Sequence, residues 1–291
     1  MGDEVVGSWS RGEGRARPSG GQGVGSATVD TPAGSPVWPP RVVVTAGASG
    51  IGRAMVDAFL EVGARVHVAD LPGHGGDLPD GIGFTGGDVS DPDDVDRLFG
   101  EAVAVMGSVD VLCNNVGIAG PTGPVEDLEV AGWDETMAVN VRSMFLCCRR
   151  AVPLMRAAGG GSVINTSSTA GQVGYPLRSP YAASKWAVVG LGATLAMELG
   201  EFGIRTNTLC PGSVGGDRMD RVIAAEAAAL GIGEEAVRGR YEDQVSMRTF
   251  VEGRDIAAMA VFLASPAARH VNGQVIAVDG GLESLRTTFR T

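Results

Sequence analysis

Arg41-Val42-Val43-Val44-Thr45 runs without a break into Ala46-Gly47-Ala48-Ser49-Gly50-Ile51-Gly52, and the reading of the whole chain turns on this junction. A short β-branched run is what a parallel strand buried on both faces looks like. Glycines let a backbone approach a ligand closely. A helix that starts at such a loop offers free N–H groups and the positive end of its dipole to a pyrophosphate. The glycines fall as Gly47-x-x-Gly50-x-Gly52, so the usual G-x-G-x-x-G dinucleotide pattern is not met. Taken alone, the loop reads either as a phosphate cradle or as a glycine-rich structural turn. An amphipathic helix to about residue 62 follows it.

Outward from this unit the pattern repeats. Strands are predicted at 64–69 (ending on Asp70), 82–87, 109–113, 162–166, 204–209 and 274–278. Helices are predicted at 91–106, 133–157 (tolerating Pro153), 180–202 and 255–264. Strands alternating with helices at this spacing imply right-handed βαβ units. The expected fold is α/β: a doubly wound, Rossmann-like parallel sheet in a single three-layer αβα domain. Ligands on such sheets bind beyond the carboxyl ends of the strands, where the polar residues singled out below all fall. Asp70 ends the second strand some twenty residues after the glycine loop. A carboxylate there accepts from a ribose 2′-OH and repels a 2′-phosphate, which favours NAD over NADP. The plainer reading is a capping or turn aspartate.

Tyr181-Ala182-Ala183-Ser184-Lys185 carries the chemistry, with Ser168 thirteen residues upstream. On a helix Tyr181 and Lys185 stand at i and i+4 on one face. A free phenol ionises at about 10, and bringing it to roughly 7 takes about 4 kcal/mol of differential stabilisation. A neighbouring ammonium supplies part of that. Ser168 would donate to a substrate oxygen on which charge develops. Of the 23 basic residues Lys185 alone is lysine, and the never-neutral, forked guanidinium is a poor substitute for it. Asn140, inside a long apolar helix, reads either as a satisfied core amide or as a residue that bends the helix and holds a water behind Lys185.

Composition narrows the classes. A net charge of -11 and a pI near 4.8 argue against a nucleic-acid partner or an anionic membrane surface. No apolar run is long enough to span a membrane. Cys113, Cys147, Cys148 and Cys210 show neither metal nor disulfide spacing, and His67, His74 and His270 are scattered, so no metal site is expected. Free buried thiols and a reducing, cytoplasmic compartment fit best. Residues 1–40 are rich in Gly, Ser, Pro and Arg without apolar period and read as a disordered extension. The catalytic domain is expected at 41–291.

In order along the chain stand Thr45, Gly50-Ile51-Gly52, Asp88-Val89, Asn114-Asn115-x-Gly117, Asn140, Ser168, Tyr181-x-x-x-Lys185 and Pro211-Gly212. Together, over about 41–281, they resemble the short-chain dehydrogenase/reductase family. The resemblance implies Tyr181 as general acid/base, Lys185 as its pKa modifier and ribose ligand, Ser168 as substrate-oxygen donor and Asn140 as relay residue. For NAD it implies Thr45, Gly47, Gly50, Ile51 and Gly52 at the phosphates, Asp70 at the ribose and Asp88 and Val89 at the adenine. Asn115 and Gly117 follow on the adenosine side and the Val214 backbone at the carboxamide, with Pro211 and Gly212 also among the cofactor-binding residues. It also implies a homodimer or homotetramer, with the helices near 133–157 and 180–202 at one interface.

Three departures stand out. Ala46 replaces the first loop glycine, which is tolerable with a negative φ. Val116 replaces the usual alanine and narrows the space near the adenine. Gly215-Gly216-Asp217 replaces the usual threonine, a cofactor hydrogen-bond partner. Residues 213–251 should form a helical substrate lid hinged at glycines 212, 215 and 216. Arg178, Arg218 and Arg248 could meet an anionic substrate group, although acidic residues outnumber basic ones in the lid and favour a solvated face. The activity expected is NAD-linked interconversion of a small secondary alcohol and a ketone. The competing class is a non-catalytic NAD(H)-binding sensor or scaffold.

Overall fold

The computed structural model describes residues 37–282. The expected extension lies outside the described residues except for its last four, of which Pro40 is buried and accepts the Arg65 N–H at 3.0 Å. Seven strands follow: β1 (Arg41–Thr45), β2 (Arg65–Asp70), β3 (Gly83–Gly86), β4 (Val111–Asn114), β5 (Gly161–Thr166), β6 (Ile204–Pro211) and β7 (Val275–Val278). They pair in the order β3-β2-β1-β4-β5-β6-β7, every pairing parallel. The order reverses between β1 and β4, the switch point at which open α/β sheets take their ligands.

Alternation along β1 explains the two cores. Val42 and Val44 face α1 (Gly50–Glu61) and α8 (Gly253–Ala264), where Met55, Phe59, Ile256 and Leu263 close one layer. Val43 faces the other way, toward α2 (Pro92–Met106) and α4 (Ser143–Ala158), with Leu98, Phe99, Leu146 and Met155. Each fully buried side chain of this size contributes about 2 kcal/mol. This is why β1 has no polar face in its sequence. The α2 start is dictated by Asp91-Pro92: the Asp91 carboxylate accepts the Asp93 and Asp94 N–H groups at 2.8 and 3.4 Å, and Pro92 supplies the preset first turn.

Several boundaries depart from the sequence reading, among them these three. The single helix expected over 133–157 is two helices, α3 (Val130–Met137) and α4, joined by a π-helical turn at Ala138–Arg142 that centres on Asn140. Strand β4 begins at Val111 rather than 109 because the Asp110 carboxylate is wrapped around Arg41: it accepts the Arg41 N–H at 2.8 Å and its guanidinium at 2.7 and 2.6 Å. The helix α5 (Ser179–Leu199) gives way to a 3-10 turn, Gly200–Phe202, before β6.

Residues between β6 and α8 form two helices, α6 (Asp217–Leu230) and α7 (Glu234–Asp243), with a small core of Ile223, Ala227 and Val237. Their stems are pinned by a parallel bridge between Val214 and Val251. Among the described residues all four cysteines are free and buried, and burial pushes the Cys113 and Cys147 thiols upward. No described helix is long and apolar enough to cross a membrane.

Candidate active site

The carboxyl ends of the strands gather the singled-out residues in one row, because register aligns Thr45 with Ala69, Asp70 with Gly86, Asn114 with Asn165 and Thr166 with Leu209. At the end of β1 the Thr45 hydroxyl accepts the Asn115 and Val116 N–H groups at 2.9 and 3.3 Å, tying the β1 and β4 exits together. The glycine loop then turns sharply enough that Ala46 sits at φ 51. The negative φ under which an alanine would be tolerable here is therefore not adopted. The cause is Gly52: a Cβ there would lie 1.9 Å from the Ala46 carbonyl oxygen, so the turn packs its first residue directly on the helix start. A left-handed alanine costs about 1–2 kcal/mol.

This loop fits a dinucleotide phosphate. The N-cap Ser49 makes no side-chain cap bond, the first turn of α1 holds no acidic residue, and a Cβ on Gly50 would meet nothing within 4 Å. Open N–H groups, a positive dipole end and free space are what an anion needs. Gly47 packs instead against Val68, which a Cβ would meet at 2.9 Å. Next to the loop the Asp70 carboxylate accepts the Ala48 N–H at 3.0 Å and the Leu71 N–H at 2.8 Å, and pairs with His74 at 2.9 Å. It is thus held at the loop rather than on a helix cap. The Asp88 carboxylate closes its own turn by accepting the Ser90 N–H at 2.8 Å. The Val89 side chain belongs to the α2 core layer, and Val116 leans on the same layer.

On the other side of the switch point Asn140 is fully buried. Its Oδ1 accepts the Ile118 N–H at 2.7 Å, while its Nδ2 donates to the Ile118 carbonyl at 3.0 Å and to the Ser184 hydroxyl at 2.9 Å. Ser184 in turn donates to the Tyr181 carbonyl at 2.7 Å. The π-turn has a local reason here, since it swings this amide onto both main-chain groups of Ile118. Lys185 is almost wholly buried; its Nζ donates to the Thr166 carbonyl at 3.0 Å and lies 5.7 Å from the Tyr181 ring centroid. A Cβ on Gly117 would meet Lys185 Nζ at 3.1 Å and Asn140 Oδ1 at 3.4 Å, so these three share one small volume.

Ser168 stands two residues beyond β5 and accepts the Ala170 N–H at 3.2 Å, which leaves its own proton for another acceptor. Its turn is clamped on α5: Ser167 donates to the Lys185 carbonyl at 2.8 Å, and a Cβ on Gly171 would lie 2.7 Å from that oxygen. Pro211 ends β6 buried, and Gly212 is a close-approach glycine whose Cβ would meet Asp279 Cα at 2.8 Å. That contact makes Gly212 a packing position rather than a hinge. Gly216, at φ 121, holds a conformation that favours glycine, and a Cβ there would meet nothing within 4 Å. The bridge to Val251 uses the Gly215 N–H and the Ser213 carbonyl, not the Val214 N–H.

The structure therefore assembles two groups, Thr45, Gly52 and Asn115 with Asp70 at one end and Asn140, Tyr181 and Lys185 at the other. Ser184, Ile118, Thr166 and His74 join them without having been singled out from the sequence. Three act through main-chain groups or a short hydroxyl, and only the serine beside Lys185 offered any positional signal. Of the candidate arginines, Arg178 lies 5.0 Å from the Tyr181 ring centroid, Arg248 is paired with Asp243 at 3.0 Å, and the Arg218 side chain lies outside the described residues.

Comparison with known proteins bears on this arrangement. A family model described as enoyl-(acyl carrier protein) reductase matches residues 45–283. The chain is 35% identical over 252 residues to D-threitol dehydrogenase of Mycolicibacterium smegmatis, covering 82% of this chain and 91% of that one. It is 35% identical over 246 residues to cis-4-hydroxycyclohexanecarboxylate dehydrogenase of Sinomonas cyclohexanicum, covering 82% and 94%. The crystal structure of levodione reductase superposes with a TM-score of 0.78 at 30% identity, covering 84% of this chain and 97% of that one. With its parallel sheet, its glycine turn and these relatives, the chain belongs to the short-chain dehydrogenase/reductase family and is an oxidoreductase.

Proposed function

We propose that this protein is an NAD-dependent dehydrogenase that interconverts a small secondary alcohol and a ketone, with Tyr181, Lys185, Ser168 and Asn140 as its catalytic set. The observation that carries the reading is the buried Lys185 ammonium 5.7 Å from the Tyr181 ring on the same helix. A cation so placed favours phenolate over phenol. Tyr181 takes the proton of the substrate hydroxyl. Ser168 donates to the same oxygen as charge develops on it. Lys185 stabilises the charge on Tyr181 and, in this reading, a water held at Asn140 behind Lys185 carries the proton on to solvent.

NAD, when bound, supplies the hydride acceptor, or the donor in the reverse direction. The glycine loop would hold its phosphates and the Asp70 carboxylate its ribose; the Ala48 bond to Asp70 supports this placement. Because a carboxylate repels a 2′-phosphate, NAD is preferred to NADP. The relatives' names describe a sugar alcohol, D-threitol, and a hydroxy acid as substrates, in keeping with a small alcohol here. Buried thiols outside any disulfide support a cytoplasmic setting. Exposed Trp133, Phe145, Trp186 and Met197 on α3, α4 and α5 support a homodimer or homotetramer.

The test is Tyr181→Phe assayed with a panel of polyols, hydroxy acids and cyclic alcohols. Turnover should fall by several orders of magnitude while NADH binding is kept. Retained turnover would remove the phenol from the reaction. NADH binding without oxidation of any compound by the unaltered protein would favour a binding module.

A further inference from the structure

We propose that Arg178 is the anchor for an anionic group on the substrate, so that the alcohol this enzyme takes carries a carboxylate; the proposal rests on the dehydrogenase reading above. Arg178 ends the segment that leads into α5, three residues before Tyr181. Its guanidinium carbon lies 5.0 Å from the Tyr181 ring centroid and 5.8 Å from that of Tyr175. With Lys185 at 5.7 Å, the Tyr181 ring has a cation on each of two approaches. A single small molecule can therefore present its carbinol to Tyr181 and a carboxylate to Arg178.

What sets Arg178 apart among the described arginines is a guanidinium nitrogen buried without a hydrogen-bond partner, with no carboxylate against it. Arg41, Arg53, Arg97, Arg150, Arg238, Arg248 and Arg254 each pair with an acid within 4 Å, and no ion pair among the described residues includes Arg178. Its Nη2 donates to the Ala119 carbonyl at 3.2 Å, and its Nε is buried without a partner. A half-buried cation left unneutralised is costly, and in a chain of net charge -11 acidic partners abound. An arriving carboxylate would meet two parallel N–H donors on the guanidinium, the strong bidentate pairing.

The surroundings agree. Leu177, immediately before Arg178, is held at φ 62, and its carbonyl accepts the Gly123 N–H at 2.9 Å, so the backbone is fixed in an uncommon conformation next to the guanidinium. The lid reaches the same place. The Tyr241 phenol of α7 is pushed up to about 12 by burial first and by its bond to Glu226 next, with Tyr175 adding to the shift and Arg178 opposing it. Arg178 thus lies against the catalytic tyrosine and within electrostatic reach of the lid tyrosine. The first turn of α5 supplies no competing anion, since it holds no acidic residue.

The experiment is isothermal titration of the NADH-saturated protein with cyclohexanecarboxylate and with cyclohexanecarboxamide, which share a ring and differ in charge. The unaltered protein should bind the carboxylate at least tenfold more tightly than the amide. Arg178→Met should bring the ratio close to one, and Arg178→Lys should retain part of it. Melting temperature and NADH affinity establish that each variant is folded. A ratio near one in the unaltered protein, a carboxylate that does not bind, or a preference that survives Arg178→Met would overturn the proposal. Failure of the unaltered protein to bind NADH would instead remove the dinucleotide reading, and the anchor with it.

Discussion

Replacing Asn140 by alanine removes one amide that three hydrogen bonds depend on. The Ile118 N–H loses its acceptor at 2.7 Å, the Ile118 carbonyl its donor at 3.0 Å, and the Ser184 hydroxyl its donor at 2.9 Å. At about 1 kcal/mol per bond the loss is about 3 kcal/mol. Ile118 is only half-buried, so water re-satisfies part of it and the larger penalty for fully buried orphans does not apply. For a domain of this size the loss lowers the melting temperature by about 6–12 °C. The π-turn loses its reason as well, and the β4 exit that carries Gly117 loosens beside Lys185. Urea unfolding followed by tryptophan fluorescence and circular dichroism measures the change in stability, and turnover measured at saturating NAD should fall with it. A cost below about 1 kcal/mol would show that these bonds do not hold the site together.

Ala46→Gly should stabilise the protein by about 0.5–1 kcal/mol, because relief of a left-handed alanine worth about 1–2 kcal/mol exceeds the added entropy of the unfolded chain; a destabilised variant in denaturant titration would contradict the strain at φ 51. Asp70→Asn keeps an acceptor for the Ala48 N–H but removes the charge, and the ratio of kcat/KM for NAD over NADP should drop tenfold or more. An unchanged ratio would take Asp70 away from the ribose. His67 is buried, which holds its imidazole below the ordinary 6.5 despite the opposing pull of Glu101. The folded protein therefore keeps the ring neutral while the unfolded chain binds a proton below about 6.5. Stability is complete above that pH and declines as pH falls, with a slope of up to about 1.4 kcal/mol per unit. His67→Gln should flatten that decline in guanidinium midpoints compared at pH 7.5 and 5.5.

Much of this was legible because steric and solvation demands write directly into sequence. A strand buried on both faces leaves no alternative to the run at Arg41–Thr45, and a helix packed on the Ala46 carbonyl leaves no alternative to Gly52. Asp70 could be placed because strand and loop fix its distance along the chain. The positive φ of Ala46 could not be read, since alanine is compatible with either sign and the contact that decides it is tertiary. Nor could the break in the helix near Asn140: an apolar helical period continues through it, and a single inserted residue leaves the hydrophobic pattern almost unchanged. Ile118 contributes only backbone groups to the Asn140 knot, and backbone groups are the same at every residue. Gly212, read as a hinge, is a packing glycine for a similar reason, because its neighbour Asp279 comes from the far end of the chain.

Only three tyrosines, Tyr175, Tyr181 and Tyr241, occur in the chain, so phenolate formation can be followed by ultraviolet difference titration and assigned residue by residue. One tyrosine should ionise well below the ordinary value of about 10, its transition should vanish in Tyr181→Phe, and it should move upward in Lys185→Met. A titration in which all three phenols ionise at or above about 10, or in which Lys185→Met leaves the low transition in place, would contradict the pairing of phenol and ammonium on which the proposed chemistry depends.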